Sequence, residues 1–177
     1  MKKLSVLFFT LTVVLFSCKP SKEKLQQQVT KAEGELFQGD KGQFGIDTAK
    51  ANTTIAAYEA YAEAFKDDTL SPEYLFRAAD LQRSMRKTDK SVALYDRIIA
   101  EFPKSSRAPY SLFLKGFMYE NETQEIDKAR EIYHQFLATY PEHQLADDVA
   151  FSLKNLGKTP EELIKQFEQM NQDSLPQ

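Results

Sequence analysis

The 177-residue chain has one cysteine, two histidines, no tryptophan and six glycines. A lone thiol cannot close a disulfide within the chain, so the fold must hold without a covalent staple. The two histidines, His134 and His143, have no third metal ligand at helical spacing, so no zinc set of the usual kind is expected. Twenty-three Lys and Arg stand against 26 Asp and Glu, a net charge of −3. Phosphate binding needs clustered basic residues on one face, so nucleic acid is not an expected partner. After the first 17 residues no apolar run approaches the ~20 residues that a membrane helix requires. Four of the six glycines (Gly34, Gly39, Gly42 and Gly45) fall in one stretch. The rest is rich in Ala, Leu, Glu, Lys and Gln and poor in β-branched runs, which predicts helix.

The motifs of chemistry are also missing. Gly39-Asp-Lys-Gly-Gln-Phe-Gly45 lacks the Gly-Lys-[Ser/Thr] ending that aims a lysine at phosphates, and reads as a linker. No serine or cysteine nucleophile has a histidine near it in a recognisable pattern. Glu161 and Glu162 are explained by a helix N-terminus rather than by acid–base work. No catalytic residue, metal or cofactor is expected, and the chain is not read as an enzyme.

What is present begins with the N-terminus. Lys2 and Lys3 precede an apolar run, Leu4 to Phe16, too short to span a bilayer, and then Leu15-Phe16-Ser17-Cys18. This layout is a secretion signal. It resembles the lipobox of bacterial lipoproteins, although Phe16 is bulkier than the usual occupant. The resemblance implies removal of residues 1–17, acylation of Cys18 (palmitate among the chains) and a tether over 18–24. The other reading is a secreted protein cut just upstream, with a spare thiol. The mature chain would carry 21 basic and 26 acidic residues, 21 − 26 = −5. Lys19, Lys22 and Lys24 follow the cysteine in place of an aspartate or an acidic run. By resemblance, the address is the bacterial outer membrane, lipid-anchored and facing the periplasm.

Leu25, Val29, Ala32 and Leu36 form one stripe on a short helix within segment 25–47. That helix either docks on the domain or pairs weakly with copies of itself through 25–36. From residue 48 the chain repeats. Tyr58, Tyr95 and Tyr133 are spaced by 37 and 38 residues, and Phe65, Phe102 and Tyr140 keep the same step. Pro103 and Pro141 follow two of these aromatics and stop the helices. Further helix starts are expected at Ser71-Pro72-Glu73, at Ser106 to Pro109, and at Thr159-Pro160 with Glu162 closing a capping box.

Repeated helix pairs of this length predict an all-α, helix-turn-helix solenoid. Leu112, Gly116, Tyr119, Ala129, Tyr133 and Pro141 resemble the tetratricopeptide signature. Leu75, Ala79, Tyr95 and Pro103 resemble it one copy earlier, with Gln82 and Ser91 departing from it. Residues 48–66 read as a second helix lacking a clear first. The expectation is two to three tetratricopeptide-like repeats over 48–157, closed by a capping helix and tail over 158–177.

Together, the lipoprotein-like start and the aromatic-Pro endings resemble the BamD-type lipoproteins of barrel assembly. They also resemble the repeat domain of the Tol–Pal-associated cell-division coordinator. The resemblance implies a scaffold for envelope proteins, in outer-membrane barrel assembly or in coordinating wall synthesis with division. A lipoprotein binding a small ligand, a glycan or wall fragment, is the alternative. The family's groove positions imply a binding face of Glu73, Phe76, Asp80, Arg83, Tyr110, Phe113, Phe117, Glu120, Asp148, Phe151 and Asn155. Phe76, Phe113 and Phe151 are either groove anchors or core. Thr48, Thr69 and Ser174 each follow an aspartate and resemble the O-glycosylation sequon of Bacteroidota; helix capping is the other account of the first two.

Overall fold

The computed structural model describes residues 20–38 and 45–173. The signal segment 1–17, Cys18, most of the glycine-rich linker and Ser174 lie outside the described residues. Eight helices and no strand occur among the described residues. They are α1 (Lys22–Phe37), α2 (Thr48–Ala64), α3 (Leu70–Ser84), α4 (Thr88–Glu101), α5 (Arg107–Asn121), α6 (Ile126–Thr139), α7 (Ala146–Asn155) and α8 (Pro160–Asp173). From α1 to α7 each helix packs on the next in the chain, and α3 also touches α5. Stacking by sequence neighbours is the geometry of a solenoid, and the molecule is an all-α helical repeat.

The second helix of each pair ends in the same way. Phe65, Phe102 and Tyr140 sit at C-caps with φ, ψ of −130°, 61°; −131°, 51°; and −130°, 53°. Proline follows only the last two, so the terminating geometry does not depend on it. The turns inside the pairs also agree. Arg86 and Gln124 adopt left-handed φ of 58° and 57°, and Gly157 does so at 81° between α7 and α8.

The structure extends the repeats toward the N-terminus. The stripe Leu25, Val29, Ala32 and Leu36 is buried against α2, and Lys22 at the start of α1 forms an ion pair with Asp68. α1 is therefore the first helix of the pair that α2 completes, and the stack begins at residue 22 rather than 48. Of the two expectations for 25–36, docking on the domain is the one observed, and self-association through this stripe is corrected because its apolar face is already occupied within the chain. Ser71 is a second correction. Asp68, not Ser71, accepts the Leu70 N–H at the start of α3 (2.9 Å), while the buried Ser71 hydroxyl donates to the Phe65 carbonyl (2.6 Å). At α8 the capping box forms as expected: Thr159 N–H donates to Glu162 Oε2 (2.8 Å), and Glu162 N–H to Thr159 Oγ1 (3.2 Å).

Two apolar clusters fill the stack. One joins Val29, Tyr58, Leu75, Tyr95 and Met118; the other joins Leu112, Tyr133, Phe136 and Val149; Tyr119 packs against both. Gly116 has a steric reason. A Cβ there would stand 2.6 Å from Tyr133 Cε1, so only glycine lets the ring pass. No helix among the described residues is long and apolar enough to cross a membrane.

Candidate functional site

Each of the three repeat tyrosines donates its hydroxyl to a carboxylate on the preceding helix. Tyr58 reaches Glu33 (2.6 Å), Tyr95 reaches Asp80 (3.1 Å) and Tyr133 reaches Glu120 (2.6 Å). Burial, reinforced by the neighbouring carboxylate, raises all three phenols above their ordinary value, so they remain donors. The tyrosine step seen in the sequence is thus a repeated cross-helix hydrogen bond, and Asp80 and Glu120 are committed to it.

A chain of charges links the first helices of successive pairs. Arg77 Nη1 donates to Glu33 on α1 (2.9 Å) and Arg77 Nε to Glu73 one turn earlier (3.0 Å). Glu73 also accepts from Arg107 Nε on α5 (2.5 Å), and the Arg107 guanidinium lies 4.6 Å over the Phe76 ring. Burial acts to raise the Glu73 carboxyl, but the bonds from Arg107 and Arg77 outweigh it and hold the group below its ordinary value. Glu33, Arg77, Glu73 and Arg107 form a ladder across α1, α3 and α5.

The eleven expected groove residues therefore divide. Glu73, Asp80 and Glu120 have intramolecular partners; Asn155 is buried, donating to the Phe151 carbonyl (2.9 Å) and accepting from Lys158 Nζ (3.0 Å). Phe76 packs on the first cluster and lies 5.7 Å from Tyr95; Phe113 packs on the second, 6.5 Å from Tyr133. Tyr110 accepts from Gln144 and meets His143 edge-on at 5.3 Å, which brings the α6–α7 turn onto α5. Arg83 lies 3.8 Å from Asp80, with its Nε buried and unpartnered. Asp148 is exposed, and so are Phe117 and Phe151, at 37% and 51%. The three stepped phenylalanines are thus graded: two half-buried, the last in solvent. Burial raises the Asp80 carboxyl, with Tyr95 opposing it.

Thr48 and Thr69 lie exposed at the starts of α2 and α3. Among the described residues no three His, Cys, Asp or Glu side chains converge as a metal site. The sequence reading missed Arg77 and Arg107, because the partners that give them their role are remote in the chain. Their only advance sign is the Glu73–Arg77 spacing of one helical turn.

Comparison with known families accords with this geometry. Residues 73–105 and 110–143 match the family model of the tetratricopeptide repeat. These spans cover α3–α4 and α5–α6, the two pairs that carry the aromatic-Pro ending. The α1–α2 pair lies outside the match yet repeats the tyrosine–carboxylate bond and the C-cap. No curated protein matches the chain. Repeats of this family commonly mediate protein–protein interaction, and no catalytic family is matched.

Proposed function

We propose that the chain is a non-enzymatic, lipid-anchored scaffold of the bacterial envelope that binds other proteins through the wall of its first helices. The observation that carries this reading is the exposure of Phe117 and Phe151, with Asp148 beside them, on a tetratricopeptide-like stack where most other groove side chains have intramolecular partners. Aromatic side chains left in solvent beside a rigid wall are the usual anchors of a protein interface. The lipobox-like Leu15-Phe16-Ser17-Cys18 supports acylation of Cys18 and an outer-membrane address facing the periplasm. The resemblance to barrel-assembly and division-coordinating proteins supports partners from those systems. Glycosylation at Thr48, Thr69 and Ser174 is part of the same proposal for an exported chain.

The test is a crosslinked recovery from intact cells, comparing wild type with Phe117→Ala. Phe117 is the cleaner choice because Phe113 packs on Tyr133 and supports the fold. Recovery of barrel-assembly or wall-synthesis proteins, lost in the variant, supports the reading. Recovery of none sinks it. Labelled palmitate incorporated by wild type and not by Cys18→Ala would support the anchor, and equal labelling would remove it.

A further inference from the structure

The end of the stack differs from its middle. None of the α8 side chains described is buried, whereas every other helix buries at least two residues. Leu163, Ile164 and Phe167 fall on one stripe of α8, with Ile164 at 58% and Phe167 at 43% exposure. Phe167 stacks on Phe151 of α7 at 6.3 Å with an interplanar angle of 15°. The two helices thus contribute to one apolar edge, open to solvent. Lys158 braces it by donating to Asn155 Oδ1 and Gln166 Oε1.

The edge has an acidic rim. Residues 146–169 hold Asp147, Asp148, Glu161, Glu162 and Glu168 against Lys154, Lys158 and Lys165, so 3 − 5 = −2. Asp147 and Asp148 lie one turn before Phe151, and Glu168 one turn after Ile164. Among the described residues, none of Asp147, Asp148, Glu161 and Glu168 has a Lys or Arg within 4.0 Å. A purely apolar partner would strip water from these carboxylates with no return, and an acidic one would be repelled. A basic partner satisfies the rim while covering the aromatics. The open stripe runs along a helix, so the complementary shape is another helix laid beside it.

We infer that the α7–α8 edge docks an amphipathic helix of a partner protein, with aliphatic anchors on one face and flanking Lys or Arg. This deepens the scaffold reading by naming a partner class. It rests on that reading only for Phe151, which the two surfaces share.

The test uses the full chain and two labelled peptides, a Leu/Lys amphipathic helix and its Leu/Glu counterpart, followed by fluorescence anisotropy. The Lys peptide should bind at least ~tenfold more tightly than the Glu peptide, with the difference shrinking as salt is raised. Phe151→Ala with Phe167→Ala should weaken it roughly tenfold or more. Phe117→Ala should leave it unchanged, which separates this edge from the wall tested above. Asp147→Lys with Asp148→Lys changes only exposed side chains and should abolish the preference for the Lys peptide even if the aromatic variant does not fold. Equal binding of both peptides, binding of neither, or binding undiminished by the substitutions would overturn the inference. So would self-association of the chain lost in the aromatic variant, since the occupant would then be a second copy.

Discussion

Gly116 and Tyr133 meet so closely that a methyl group on the glycine would lie 2.6 Å from the ring. The ring cannot retreat easily, because Tyr133 is fully buried and its hydroxyl is held by Glu120. Two effects compete in Gly116→Ala. Helix propensity favours alanine by about 1 kcal/mol, and overpacking typically costs about 1–3 kcal/mol. With a rigid ring as the obstacle, overpacking wins, and denaturant unfolding should show a net loss of roughly 1–2 kcal/mol. A gain in stability would mean that the helices separate without penalty.

Glu73 and Asp80, on one helix, are shifted in opposite directions: at Asp80 burial outweighs the bond from Tyr95, while at Glu73 the bonds from Arg107 and Arg77 outweigh burial. Glu73 titrates below its ordinary value of 4.5, so its contribution is present above that pH and is lost as pH falls through the lower folded value. Asp80 titrates above its ordinary value of 3.8, so the folded state holds its proton longer, and stability falls as pH rises between the two values. Glu73→Gln should flatten the acid-side loss of stability and cost about 1 kcal/mol at neutral pH, a figure reduced for partial exposure. Asp80→Asn keeps an oxygen to accept from Tyr95 and should be neutral or stabilising at pH 7. Melting temperatures across pH 3–7 check both signs, and the same sign for the two variants would refute the assignment.

Gln124 holds a left-handed backbone at the α5–α6 turn, where a side chain is disfavoured by about 1 kcal/mol. Glycine already occupies the corresponding turn before α8. Gln124→Gly should therefore stabilise the protein by a few tenths to about 1 kcal/mol, after allowing for the freedom that glycine adds to the unfolded chain. A thermal melt unchanged or lowered would show that the side chain compensates for the strain.

If α1 belongs to the stack, its core must carry stability. Val29 is 1% exposed and sits in the first cluster with Tyr58 and Leu75. Val29→Ala should cost about 1–3 kcal/mol in one cooperative transition. A loss near zero, or a separate early transition, would mark α1 as an appendage.

The repeats from α2 onward were legible because their signals are local or periodic. The aromatic-Pro endings and the Thr159–Glu162 box each declare themselves within a few residues, and the tyrosine step is a regular period of 37 and 38 residues. α1 was legible as a helix but not as a repeat, since a glycine-rich segment separates it from α2 and it follows no aromatic-Pro stop. The groove was less legible. Helical spacing places Glu73, Asp80 and Glu120 on one wall, but their availability is decided by Arg107, Tyr95 and Tyr133, which lie 13 to 34 residues away. Phe76 and Phe113 illustrate the same limit: periodicity gives a residue's direction, while the next repeat decides whether it is covered.

The Glu33–Arg77–Glu73–Arg107 ladder has a mechanical consequence. It joins only the first helices of the pairs, so its pull is off the axis of the array and acts on curvature rather than length. The Arg97 pairs with Glu59 and Glu63 link α4 to α2 on the second helices, and oppose that pull. The ions on both sides are partly exposed, so added salt should weaken the links on the first and second helices together.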